Sequence, residues 1–235
     1  MKNPLDDIQI FPPFEGFPKE GLGFLRKLKT NNNREWFAKH KHEYEEFVKL
    51  PMQSLVAVLR PLMHTFASDF VIDPRRSLFR IYRDARFSKN KLPYKTHVAA
   101  IFQPTHNWKD SAGLYIHIEP GEAYLGGGMY MPSSEDLKKI RNAIANYPER
   151  FLSIIESKDF KKYFGALEGE KLQRVPQGFS PEHEMAVWLK MKQFFISYTM
   201  TEEECYKKSF VKKVVDVFEK MMPLVLFLNE AIYMK

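Results

Sequence analysis

Hydrophobic positions recur at helical spacing near the start of the chain, at every second residue in its middle, and at helical spacing again toward its end. Leu22, Leu25 and Leu28 share one face of a short helix over 21–29. Asn31, Asn32 and Asn33 break it. Asn33 suits the N-cap of a next helix in which Phe37, Tyr44 and Val48 repeat, flanked by Trp36 and Phe47. Pro51 starts a further helix carrying Leu55, Val58, Leu59, Leu62 and Phe66. The period then changes to two. Phe79 and Ile81 alternate with Arg80 and Tyr82. Val98, Ala100 and Phe102 form a second run, and Leu114, Ile116 and Ile118 alternate with Tyr115, His117 and Glu119. Pro120-Gly121 marks a turn, and Ala123 to Tyr130 returns. The pattern predicts four consecutive antiparallel strands within 77–131, with Phe79, Ile81, Leu114, Ile116 and Ile118 on the buried face.

Helical signals follow from Pro132-Ser133 to about Asn146, over 149–155, and from Pro181 to Leu189, with a loop over 171–179 between the last two. Residues 193–198 suit one more strand. Thr201-Glu202-Glu203-Glu204 is a capping box expected to open a long terminal helix with Phe210, Val214, Val217, Phe218 and Met221 on its apolar face. The expected fold is α+β: an antiparallel meander of about four to six strands flanked by N-terminal and C-terminal helices. No repeat or Gly/Ser linker divides the chain, so 1–235 reads as one domain. Its first 13 residues, in a Pro- and Phe-rich stretch, read as an extended lead-in.

Composition narrows the classes. With 20 Phe, 11 Tyr and 3 Trp the chain can bury a large core. One cysteine, Cys205, excludes an internal disulfide and a Cys-based zinc site. Three glutamates precede it and disfavour a thiolate. The first residues carry Asp6 and Asp7 rather than an apolar leader. The longest apolar run, Met221 to Leu228, is short and contains Pro223. These features predict a cytoplasmic protein without membrane contact.

Charge is more informative. Lys and Arg number 36 against 29 Asp and Glu, a net +7. The window Arg75–Lys95 holds eight basic residues against the single Asp84, so the rest of the chain is balanced. Arginine presents a planar donor fork that suits phosphate or carboxylate. Arg80, Arg83, Arg86, Lys91 and Lys95 are therefore candidate anion ligands. Tyr82 and Tyr94 would add hydroxyls, and Asp84 would orient an arginine. Acids folding over the segment and pairing with it would explain the same pattern.

Three further groups bear on chemistry. Gly126-Gly127-Gly128 precedes a helix start and would let a ligand approach the backbone, or else marks a bent strand packed against a bulky side chain. Tyr115, His117 and Glu119 share a strand face that His97 could meet from a neighbour. One His and one Glu are too few to name a metal, and a polar sheet face with satisfied hydrogen bonds accounts for them. No GxSxG or HExxH is present, and neither a metal nor a cofactor is assigned.

Several of these segments, taken together, resemble a known family. They are Asn32-Asn33-Arg34-Glu35-Trp36-Phe37, Phe79-Arg80-Ile81-Tyr82-Arg83-Asp84-Ala85-Arg86-Phe87-Ser88, Lys91-Leu92-Pro93-Tyr94-Lys95-Thr96, Tyr115-Ile116-His117-Ile118-Glu119-Pro120, Gly127-Gly128-Met129-Tyr130-Met131-Pro132 and Arg174-Val175-Pro176-Gln177-Gly178-Phe179. The family is a bacterial and fungal domain of unknown function, family 2461, and the resemblance runs from about Phe14 into the C-terminal helix. It implies a single domain and no particular activity, and it points again to Arg80, Arg83, Asp84, Arg86, Lys91, Tyr94 and Lys95.

Three readings of function follow. The first is a domain, enzymatic or not, that binds a small phosphate-bearing ligand where the basic segment meets Tyr115, His117, Glu119, Gly127 and Gly128. The second is a structural or interaction domain whose arginines pair internally. The third, ranked last because the rest of the chain is neutral, is a nucleic-acid binder stacking bases on Tyr82, Phe87 and Tyr94.

Overall fold

The computed structural model describes residues 11–233 apart from residue 85, residues 87–89 and residues 105–110. The lead-in over 1–10, and Phe87 and Lys89 of the basic segment, lie outside the described residues. Helix α1 (Lys19–Thr30) buries Leu22, Leu25 and Leu28, the stripe its spacing predicts. Asn33 caps α2 (Arg34–Lys39), accepting a hydrogen bond from the Trp36 amide at 2.9 Å. Helix α3 (Lys41–Tyr44) runs through a π-helical turn (Glu45–Lys49) into α4 (Leu50–Met63). Helices α5 (Ser134–Asn146), α6 (Pro148–Ile155), α7 (Lys158–Phe164), α8 (Ala186–Leu189), α9 (Glu202–Cys205) and α10 (Phe210–Tyr233) follow the first three strands. Ser133 caps α5 through the Asp136 amide.

The sheet comprises β1 (Val98–Phe102), β2 (Gly113–Glu119), β3 (Glu122–Met129) and β4 (Phe194–Met200), in that spatial order and antiparallel throughout. The residue pairs Ala100–Ile116 and Ile116–Leu125 set a register that puts Val98, Ala100, Phe102, Leu114, Ile116, Ile118, Ala123 and Leu125 on one face, all buried. Helix α10 packs on this face, with Phe210, Val214, Val217, Phe218 and Met221 turned inward. Each large side chain fully buried there contributes about 1.5–3 kcal/mol of apolar transfer. Among the described residues, no helix is long and apolar enough to cross a membrane.

Four expectations need correction. Residues 77–83 do not form a regular strand, although they run antiparallel beside β1 and its approach. Phe79 donates to Ala99 O, Ile101 donates to Ser77 O, and isolated bridges pair Leu78 with Ala100 and Tyr82 with Tyr94. Between those bridges residues 94–100 take six steps against four for residues 78–82, so the longer side bulges over 96–97, the shorter bends at Ile81 and the alternation fails. Ile81 is buried, but Phe79 is 41% exposed on the opposite face. The fourth strand is instead β4, reached after a long helical excursion. The helix expected from Pro181 is confined to Ala186–Leu189, because the Met185 amide donates to His183 Nδ1 rather than into a helical turn. The Thr201 capping box forms with both its bonds, but it opens the four-residue α9. Cys205 O there accepts from Phe17 N at 2.8 Å, tying down the segment just before α1, and the long helix begins at Phe210.

Candidate functional site

The sheet face opposite α10 is not packed like the core. It forms the floor of a cavity of about 610 Å³, walled by the chain leaving β3 (Tyr130 to Ser133) and the start of α5. Gly126 gives the floor its depth. It pairs with Tyr115 and Ser197, and a Cβ there would meet Tyr115 Cβ at an ordinary 3.5 Å. The other two glycines answer to packing. Gly127 faces the core against Met221. Gly128 has φ +122°, and a Cβ on it would lie 2.3 Å from Phe194 O.

Rings line the same floor. His117 stacks on Tyr124 with centroids 4.6 Å apart, and His97 lies over His117 at 4.2 Å. His117 Nδ1 and the Tyr115 hydroxyl are hydrogen-bonded at 3.0 Å. The other ring nitrogen, Nε2, lies 3.8 Å from Glu119 Oε1. One nitrogen of each histidine and a Glu119 oxygen all fall within 4.8 Å of one another. Burial holds His117 at a pKa of about 4. Burial, then His117, Lys95 and Arg83, hold His97 at about 4. Both rings are neutral near pH 7. Burial, with Tyr124 beside it, pushes the Tyr115 phenol up, so it stays protonated.

The basic segment is a hairpin-like arm none of whose described basic side chains lines the cavity, and it comes closest through Lys95. Lys95 is half-buried and its Nζ sits 4.9 Å above the ring of Phe79, which lines the cavity. Burial and then Arg80 lower the Lys95 pKa. Among the described residues no carboxylate lies within ion-pair distance of Arg80, Arg83 or Lys95.

The other candidates are placed elsewhere. Arg86 grips Asp84 through Nε at 2.9 Å and Nη2 at 2.7 Å on the exposed loop, holding the Asp84 carboxyl at about 2. Lys91 reaches the carbonyl of Arg86. Tyr94, 5% exposed, stacks on Phe37 in the core, and Tyr82, 51% exposed, lies beside it. Asn32 fixes Tyr94 by a reciprocal pair, Nδ2 donating to Tyr94 O and Oδ1 accepting from Tyr94 N, both 3.0 Å. Cys205 is fully buried, and burial first, then its glutamate neighbours, pushes its thiol up to about 12.

Sequence reasoning passed over Tyr124 and assigned Phe79 to the core. Tyr124 had a findable signal, since it stands opposite His117 when β2 and β3 turn at Pro120-Gly121. Phe79 had none, because the bend that reverses it follows from the mismatched bridges.

A family model described as Conserved hypothetical protein (DUF2461) matches residues 20–227, and the chain belongs to that family. No curated protein matches it.

Proposed function

We propose that this family member binds a small anionic, phosphate-bearing ligand in the sheet-face cavity. In this reading the anionic end meets Lys95, Arg83 and Arg80, and the body of the ligand lies over Gly126 among Tyr115, Tyr130 and Phe195. The observation that carries it is Lys95: a half-buried ammonium with no carboxylate partner among the described residues, at the Phe79 edge of a preformed cavity. Lowering a lysine's pKa by burial costs stability at neutral pH, and a bound anion offsets that cost. Asp84 and Arg86 already satisfy each other and sit outside this constellation. A buried free thiol suits the reducing cytoplasm, where such a ligand is plentiful.

The test is a thermal-shift and calorimetric series with inorganic phosphate, nucleotides, phosphosugars and oligonucleotides. Wild type is stabilised by the small phosphates, and Arg83→Ala or Lys95→Met loses about 1.5–3 kcal/mol of binding, the usual worth of a hydrogen bond to a charged group. Added salt weakens the interaction further. Stabilisation by oligonucleotides alone would move the reading to nucleic acid. No response to any anion would sink it.

A further inference from the structure

We infer that His97, His117 and Glu119 form a binding site for a divalent transition-metal ion, held by two imidazole nitrogens and one carboxylate oxygen with further positions open toward the cavity.

The three side chains come from one corner of the sheet. His97 immediately precedes β1, and His117 and Glu119 are two apart on β2, so all three share its outer face. Their ligating atoms lie within 4.8 Å of one another, which rotamer adjustment brings to the roughly 2.0–2.2 Å bonds of such an ion. Two histidines and one carboxylate are the donor set of zinc hydrolases and of non-haem iron sites, in both of which the protein leaves positions open. The ring orientation is also prepared. With Nδ1–H of His117 donating to the Tyr115 oxygen, Nε2, the nitrogen nearer Glu119, is left as the coordinating atom. A hydrogen-bonded second ring nitrogen is the usual arrangement of a metal-bound histidine.

The surrounding charge supplies a second observation. Glu119 stands directly opposite Glu122 across the β2–β3 pair, and no lysine or arginine pairs with either among the described residues. Like charges so placed repel. A cation at Glu119 relieves that repulsion. Lys95 and Arg83 lie near His97 and oppose a cation, but the two glutamates offset them in number. The site stands on these residues whether or not the cavity takes an anion.

The experiment is titration of metal-free protein, in chelator-treated buffer, with Co²⁺ followed by its visible absorption and with Zn²⁺ by calorimetry. One ion per chain binds the wild type. Glu119→Gln, isosteric and at the sheet's rim, weakens Zn²⁺ by more than the roughly 10–100-fold expected from loss of an orienting neighbour, and Tyr115→Phe falls within that range. His97→Gln behaves as Glu119→Gln does, and thermal melts of the metal-free variants verify their folding. No uptake, or uptake unchanged in both Glu119→Gln and His97→Gln, overturns the site and assigns any binding to surface histidines. Phosphate binding that depends on Arg83 in metal-free protein, without Zn²⁺ uptake, retires the metal site alone. Zn²⁺ uptake without any anion response retires the anion reading alone.

Discussion

Gly127 lies so close to Met221 of α10 that a Cβ at the glycine would stand 2.8 Å from the methionine Sδ and 2.9 Å from its Cβ. The contact joins strand β3 to the longest helix at the centre of the core. Its neighbour Gly126, one residue away on the other face, has room.

Gly127→Ala is therefore expected to destabilise the protein by about 1–3 kcal/mol, the cost of overpacking a filled core. Gly126→Ala is expected to be near neutral in stability and to reduce the cavity. Denaturant midpoints of the two variants, one residue apart, make the comparison. Equal midpoints would show that the helix yields without cost.

Leu114→Ala and Phe218→Ala each remove a side chain with no exposed surface, from opposite sides of the same core. Phe218 also meets Phe102 edge-on at 6.0 Å. Each change is expected to cost about 2–5 kcal/mol, and the phenylalanine falls in the upper half of that range. Urea melts read the difference directly.

Both core residues were legible as soon as the period-two and helical stripes were drawn, because burial of a repeating face is what those periods encode. The same holds for the Asn33 cap and the sheet's antiparallel sense. What was hidden depends on distance across the fold. The bend at Ile81 goes with a mismatch, four steps over 78–82 against six over 94–100, and Phe79 becomes part of the cavity edge rather than the expected core residue. Helix α7 was missed although Ser157 caps it through the Phe160 amide and Gly165 ends it at φ +71°, since seven residues make too short a stripe to read. The histidines were legible as a pair of candidates. Their approach to 4.2 Å follows from the register, in which His117 pairs with Ala99, two residues past His97 on the same face.

The two histidines also set a pH dependence. In the metal-free protein their folded pKa values are about 4, against 6.5 for an unperturbed imidazole. Between these values the unfolded chain binds more protons than the folded one, so stability rises with pH. It is full above about 6.5 and falls as the pH drops toward 4. The lowered carboxyls act at and below the foot of this window, since Asp84 starts from 3.8 and Glu202 from 4.5, so at pH 5 and above the histidines carry most of the change. Melts at pH 7, 6 and 5 are expected to lose stability progressively, and less so in His97→Gln. Equal stability at pH 7 and 5 would mean the rings charge freely in the folded state.

Asn32 makes the last prediction, because it connects the helical layer to the basic arm without touching the cavity. Its amide closes both backbone bonds of Tyr94, the residue before Lys95, and it is itself nearly buried. Asn32→Ala leaves a buried N–H and a buried C=O without partners, at about 1–3 kcal/mol for each group that water does not reach. Tyr94→Phe keeps those backbone bonds and the stacking on Phe37, and it is expected to be mild. The arm is expected to loosen in Asn32→Ala, so the Tyr94 amide exchanges with solvent faster. Phosphate affinity falls as well, because Lys95 no longer holds its place above Phe79. Hydrogen exchange at Tyr94 and a phosphate titration on the same variant test the linkage. Faster exchange with unchanged phosphate affinity would separate the arm's anchoring from the anion site.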